Sequence, residues 1–186
     1  MISTSDFRKG AKIEYKGAPH EILDFQHHKM GRGGAIVRTK LKNLKTGSIF
    51  DDSFKGGEKF EAPNLDERSM QYLYSDGEQY HFMDNENYEQ VPLTAEQLGD
   101  AKKFLKENMM VKILLYSGAP LAVEVPMFVE LAITRTDPGF KGDTASGGSK
   151  PAELESGVTV KVPFHLNEGD VIKVDTRTSE YIERVK

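Results

Sequence analysis

Residues 29–47 read KMGRGGAIVRTKLKNLKTG. In its second half Ile36, Arg38, Lys40 and Lys42 alternate with Val37, Thr39, Leu41 and Asn43. A period of two belongs to a half-buried strand, here with a cationic outer face. The glycine-rich segment MGRGG, 30–34, lies between this strand (35–44) and an earlier one (20–29). Glycine there suits a hairpin turn with positive φ angles. The stretch therefore reads as a β-hairpin with Arg32 at its tip.

The charge around this hairpin is uneven. Lys29, Arg32, Arg38, Lys40, Lys42 and Lys45 are six cations in a window, Phe25 to Phe50, that contains no acid. The whole chain nevertheless carries a formal charge of −4. Residues 1–64 hold 12 Lys/Arg against 8 Asp/Glu, residues 65–127 hold 5 against 11, and residues 128–186 hold 8 against 10. A basic end joined to an acidic middle implies that one end meets a polyanion. A merely solvated face would account for the lysines and a tight turn for the glycines. Neither accounts for the missing carboxylates, and nucleic acid supplies that counter-charge. Lysines and arginines on a hairpin face track phosphates and release counterions, which makes binding steeply salt-dependent. Gly31 and Gly33 keep the tip narrow, and Arg32 offers a planar fork of donors for phosphate or for stacking on a base. Structured RNA is the polyanion this pattern fits.

Strands dominate the remainder. AKIEY (11–15) and HEILDF (20–25) flank the turn KGAP, and SIFDDSF follows KTG, so residues 1–64 read as a barrel of roughly five short strands. EAPNLDE (61–67) reads as a connector, and SMQYLYSDGEQYHFMD (69–84) as a strand pair turning at Ser75-Asp76-Gly77. A helix is expected over 94–108, capped by Thr94 and Gln97, with Leu98, Ala101 and Leu105 on one face. Strands resume in MVKILLYSG, PLAVEV and FVELAITRTDPG, and return after a loose stretch at 140–157 in VTVKVPFHL, DVIKVDT and EYIERV. Val-x-Val-Pro occurs at 123–126 and 160–163, a faint sign that two β modules share a layout. The fold class is all-β with one short helix, arranged as three consecutive small barrels.

Several function classes find no support. No run approaches the length of a membrane span, and MISTSDFRKG lacks the apolar core of a signal peptide. With no cysteine there are no disulfides and no thiolate sites, which suits a reducing cytoplasm. His27 and His28, adjacent on a strand, point to opposite faces, and His20, His81 and His165 show no ligand spacing, so no metal is expected. No nucleophile elbow occurs, and the glycines at 31, 33 and 34 do not make a dinucleotide fingerprint. Gly142, Gly147 and Gly148 could expose N–H groups to a phosphate, but their composition reads as an inter-strand loop. No catalysis by this chain is expected.

The hairpin run at 29–47, YLYSDGEQYHFMDNENYEQ at 72–90, FVELAITRTDPGFKGDTASGGSKPA at 128–152 and VKVPFHLNEGDVIKVDTRTSEYIERV at 160–185 together resemble the bacterial elongation factor P family over essentially the whole length. The resemblance implies an SH3-like (KOW-type) barrel at 1–64 and two OB-folds at 65–127 and 128–186, L-shaped and tRNA-like in outline. It implies a cytoplasmic monomer, without cofactor, that binds the rRNA of both ribosomal subunits beside the peptidyl-tRNA. There it would steady the CCA end, stimulate peptide-bond formation and relieve stalls at consecutive prolines. A paralogous ribosome-binding adaptor without a proline-specific role is the alternative. The implied contacts are the tip loop Lys29, Met30, Gly31, Arg32, Gly33 and Gly34, with Arg38, Lys40, Lys42 and Lys45 on the RNA backbone. A loop of the last domain, Lys141, Gly142, Asp143, Thr144 and Lys150, would add to them. Many members carry a β-lysylated lysine within Lys-Pro-Gly-Lys. Here Met30 and Arg32 replace that proline and lysine, which excludes the lysine-specific modification. Another branch carries a tip arginine that a dedicated glycosyltransferase rhamnosylates, so Arg32 is the candidate modification site.

Overall fold

The computed structural model describes residues 1–139 and 148–186. The first third contains β1 (Ile2–Ser3), β2 (Lys12–Tyr15), β3 (Ala18–Met30), β4 (Gly34–Asn43), β5 (Ile49–Lys55) and β6 (Lys59–Phe60). Next come β7 (Leu65–Ser75), β8 (Gln79–Asp84), β9 (Gln90–Thr94), α1 (Ala95–Leu98), β10 (Met110–Tyr116) and β11 (Ala119–Glu124). The chain ends with β12 (Phe128–Thr136), β13 (Ser149–Leu154), β14 (Thr159–Pro163), β15 (Val171–Asp175) and β16 (Glu180–Arg184). The expected class, all-β with one short helix, is what forms. The strands make sheets in the orders β2-β3-β4-β5, β11-β10-β7-β8-β9 and β14-β13-β12-β15-β16, with β1 and β6 as a separate pair. The described residues divide into two compact units, Met1–Glu67 with Leu114–Ala122, and Arg68–Ile113 with Val123–Lys186. Among them no helix is long and apolar enough to cross a membrane.

The first sheet follows from the alternation in β4. Val37, Thr39 and Leu41 are fully buried while Arg38 and Lys40 are exposed, as a half-buried strand requires. Lys16 and Gly17 both take positive φ, 50° and 75°, and turn β2 into β3 across the pair Tyr15↔Ala18. That is the two-residue turn whose twist matches the flanking strands. Inside, Phe7, Ile13, Ile22, Val37, Leu41, Phe54 and Phe60 form the core. Its aromatic rings meet largely edge-on, Phe54 and Phe60 at 4.7 Å between centroids. Tyr15 closes one side, its hydroxyl donating to the Asp52 carboxylate.

Two expectations need correction. The helix is far shorter than 94–108. Thr94 caps it as expected, accepting from the Gln97 N–H at 3.2 Å while Gln97 Oε1 accepts from the Thr94 N–H at 2.9 Å. Gly99 then turns to φ +54° and ends the α-helix after one turn, and a 3-10 segment continues over Gly99–Phe104. The buried face follows the tighter period of three through Leu98, Ala101 and Phe104, with Leu105 buried just beyond. The second correction lies inside the stretch read as loose. Ser149–Leu154 is a strand, with Lys150, Ala152 and Leu154 buried and their neighbours exposed. Pro151 and the surrounding polar residues concealed that alternation. The strand pairs with β12 and β14 over a core that includes Leu131, Ile133, Val162, Leu166 and Ile172.

The β7–β8 turn is organised by Asp76. Its carboxylate accepts from the Glu78 and Gln79 N–H groups and contacts His81 Nε2 at 2.9 Å. The His81 contact first, then the two amides, hold Asp76 down to about 2. A depressed carboxyl stabilises the folded state above its unfolded range near pH 4, and the contribution disappears as pH falls towards 2. An NMR titration should show the Asp76 carboxyl still ionised at pH 3. Removing a fully buried leucine from the first core should be costly. Leu41→Ala is expected to lower stability by about 2–5 kcal/mol in denaturant unfolding.

Candidate nucleic-acid interface

The β3–β4 hairpin outgrows its sheet. β5 pairs with β4 up to Ile36↔Lys55, and the Gly56 N–H then donates to the Ala35 carbonyl at 2.8 Å. A Cβ on Gly56 would lie 2.9 Å from that of Ala35, so the chain leaves β4 here in close contact. Beyond this point only β3 and β4 continue, through Lys29↔Ala35 and Met30↔Gly34, to the loop Gly31-Arg32-Gly33. At about 3.3 Å per residue, this two-stranded finger reaches roughly 10 Å past the three-stranded part.

The glycines of the finger have different duties. Gly34 sits at φ +84°, the left-handed position that ends a three-residue hairpin loop. Gly31 and Gly33 do not take positive φ, contrary to the expectation for the whole segment, and nothing lies within 4 Å of a Cβ built on either. Gly34 is required by the fold. The other two are not, and their missing side chains leave the tip thin.

Arg32 and Lys29 are exposed, and among the described residues neither is paired with a carboxylate. The strand cations differ, and here the expectation of an unbalanced basic face needs correction. Lys40 lies opposite Asp24 on β3 and opposite Asp51 on β5. Arg38 Nη2 is 3.6 Å from Asp51 Oδ2, and Lys9 Nζ is 3.4 Å from Asp24 Oδ1. The Asp24 carboxyl is held below its ordinary value, first by the Phe25 N–H, then by Lys9, with a smaller contribution from Lys40. Lys42 lies opposite Glu21. Lys45 stays exposed, but its ammonium stands 5.1 Å from the centre of the Tyr116 ring, whose hydroxyl donates to Glu14 at 2.5 Å. The acid-free window is thus acid-free along the chain only. Asp24 and Asp51, the residues that bound it, fold back beside its middle. Sequence reasoning passed over both, although a signal existed. Residues equidistant from Arg32 pair in this hairpin, and Asp24 is as far before Arg32 as Lys40 is after it.

The other expected residues separate. Lys141, Gly142, Asp143 and Thr144 lie outside the described residues, as does Gly147. Lys150 is 4% exposed and its ammonium donates to the Asp137 carbonyl at 2.6 Å, a tie within its own domain. Gly148 packs so closely that a Cβ would fall 2.0 Å from the Phe164 ring. His27 and His28 are exposed on successive β3 positions, and His20 is buried with Nδ1 2.9 Å from the Ala18 carbonyl. Among the described residues no cluster of His, Asp or Glu is placed to hold a metal ion.

Three family models match the chain in succession: the elongation factor P KOW-like domain over residues 3–60, its OB domain over 65–123, and its C-terminal domain over 129–184. Curated relatives named elongation factor P include those of Thermodesulfovibrio yellowstonii, 60% identical over all 186 residues, and Natranaerobius thermophilus, 55% identical over 186. That of Clostridioides difficile is 56% identical over 185, and in these three pairs the alignment covers at least 99% of both chains. Among solved structures, one described as eukaryotic translation initiation factor 5A from Methanococcus jannaschii superimposes with a TM-score of 0.58 at 23% identity. That likeness, one of fold, spans 67% of this chain and 92% of the other.

Calorimetry should separate Gly34 from the two loop glycines. Gly34→Ala should lower stability by about 1–2 kcal/mol, the strain of a left-handed side chain. Gly31→Ala and Gly33→Ala should stay within about 0.5 kcal/mol of the parent.

Proposed function

The chain belongs to the elongation factor P family, and we propose that, as a translation elongation factor, it binds the ribosome beside the peptidyl-tRNA and steadies the CCA end for peptide-bond formation. Three domains, 1–64, 65–127 and 128–186, would share the task, the first lying along the tRNA acceptor arm. The observation that carries this reading is the finger: a thin, two-stranded projection with Arg32 exposed at its end. A guanidinium there can bind phosphate through two parallel donors or stack on a base. The exposed Lys29 adds a second charge within the same projection.

Such a probe supplies position and no chemistry. Proline attacks as a hindered secondary amine with its φ locked, so prolyl substrates reach the geometry of attack poorly. A factor that narrows the wandering of the tRNA end restores alignment, and alignment is worth several kcal/mol in favourable cases. Relief of stalls at consecutive prolines follows from that role, with the bond made by the ribosome. Exposure of Arg32 also leaves it open to an arginine-modifying glycosyltransferase, which we place among the partners. A sugar-sized mass increment mapped to Arg32 in the natively expressed protein would support that, and a mass equal to the bare chain would sink it.

The finger's role is tested with Arg32→Ala in a reconstituted translation system. Synthesis through a run of prolines should slow at least several-fold while the melting temperature and ordinary synthesis are unchanged. Unimpaired passage through prolines would remove Arg32 from the mechanism. Should the unaltered protein bind RNA yet leave such stalls unrelieved, the adaptor role would replace this one.

A further inference from the structure

We propose that Asp24 and Asp51 are specificity-determining residues, acting as built-in counter-ions that hold down the affinity of the strand face for RNA at large. The proposal rests on the RNA-binding reading of Arg38 and Lys40 given above. One row across the sheet carries Asp24 on β3, Lys40 on β4 and Asp51 on β5. Lys9 extends the row beyond Asp24, and Arg38 reaches Asp51 from the next outward position on β4. Positive and negative groups therefore alternate, three cations with two carboxylates.

The arrangement depends on an irregularity in β3. Ile22 is buried, and simple alternation from it would turn Asp24 inward as well. The pairing shifts between Ile22 and Asp24, with Leu23 as the extra residue, and the phase of the strand reverses. Asp24 then shares the outer face with Lys40, and its side chain is 53% exposed. A bulge re-aims a side chain in this manner. The Asp24–Lys40–Asp51 row also bounds a shallow polar recess with Phe25, Gln26 and Arg38.

Exposed ion pairs of this kind are weak and mobile. They do not lock Arg38 and Lys40, but a phosphate that approaches either cation also meets a carboxylate. An unstructured RNA, engaging only this face, gains little. An RNA surface that engages the finger tip as well can displace the carboxylates, because among the described residues no carboxylate pairs with the tip cations. Discrimination thus arises from making one half of the interface weak on its own.

The test uses the full chain, a fluorescent polyuridylate as the unstructured probe, and ribosomes, across a salt series. Asp24→Asn with Asp51→Asn should tighten polyuridylate binding about 10-fold and steepen its salt slope by about one unit, with a smaller gain on ribosomes. A control, Glu86→Gln with Glu89→Gln, removes the same charge from exposed positions of the other unit and should change little. Adding Lys9→Gln, Arg38→Gln and Lys40→Gln to the asparagine pair should abolish the gain. No tightening, equal tightening by the control, or a gain that survives loss of the three cations would each overturn the proposal. Stall relief is not among these readouts, so failure here leaves the elongation role standing, and failure of that role leaves this result intact.

Discussion

Pairing about Arg32 is the constraint on which the first unit depends. From Met30↔Gly34 down to Asp24↔Lys40, residues equidistant from the arginine face each other. Along β4 that register puts Val37 and Thr39 in the core and Arg38 and Lys40 outside, and beyond the bulge at Leu23 the buried Leu41 pairs with Ile22. A slip by one residue would invert every assignment. It also sets Asp24 beside Lys40, and the β4–β5 register adds Asp51 on the other side. The core positions and the charge layout therefore follow from the pairing of β4 with its two neighbours, and the finger continues the β3–β4 pairing past the last residue that β5 can reach.

How much of this was legible depended on whether a pattern repeated. Alternation in β4 announced both strand and core, and the turn at Lys16-Gly17 was plain from composition. The capping box at Thr94 was equally visible, but capping starts a helix without fixing its length, and Gly99 stopped this one after a turn. β13 was hidden because Pro151 and Glu153 occupy its exposed positions and Lys150 one of its buried ones. At the interface, the tip was readable from charge and glycine content. The compensation of the strand cations was not, because Asp24 and Asp51 lie outside the window when it is scanned along the chain. Hairpin arithmetic would have found them; a linear count of charges could not.

The two halves of the interface then have distinct electrostatic character. The tip presents cations with which no carboxylate among the described residues pairs, on a backbone whose loop glycines ask nothing of the surrounding fold. On the strand face Lys40 stands between Asp24 and Asp51, and Arg38 reaches Asp51 diagonally. Lys45 belongs to neither, being turned to Tyr116 within the same unit. In the proposed RNA-binding role this division matters, since affinity concentrated at a thin projection is realised only where a cleft can admit it.

The contact between Gly56 and Ala35 gives the finger a fulcrum. A projection some 10 Å long, held at its root, works as a lever: tilting the root by about 6° swings the tip by about 1 Å, an error large enough to matter where reactive groups are being aligned. No room exists at that fulcrum for even one added methyl. The direction of the finger thus depends on a glycine just past the end of the neighbouring strand, remote from the tip.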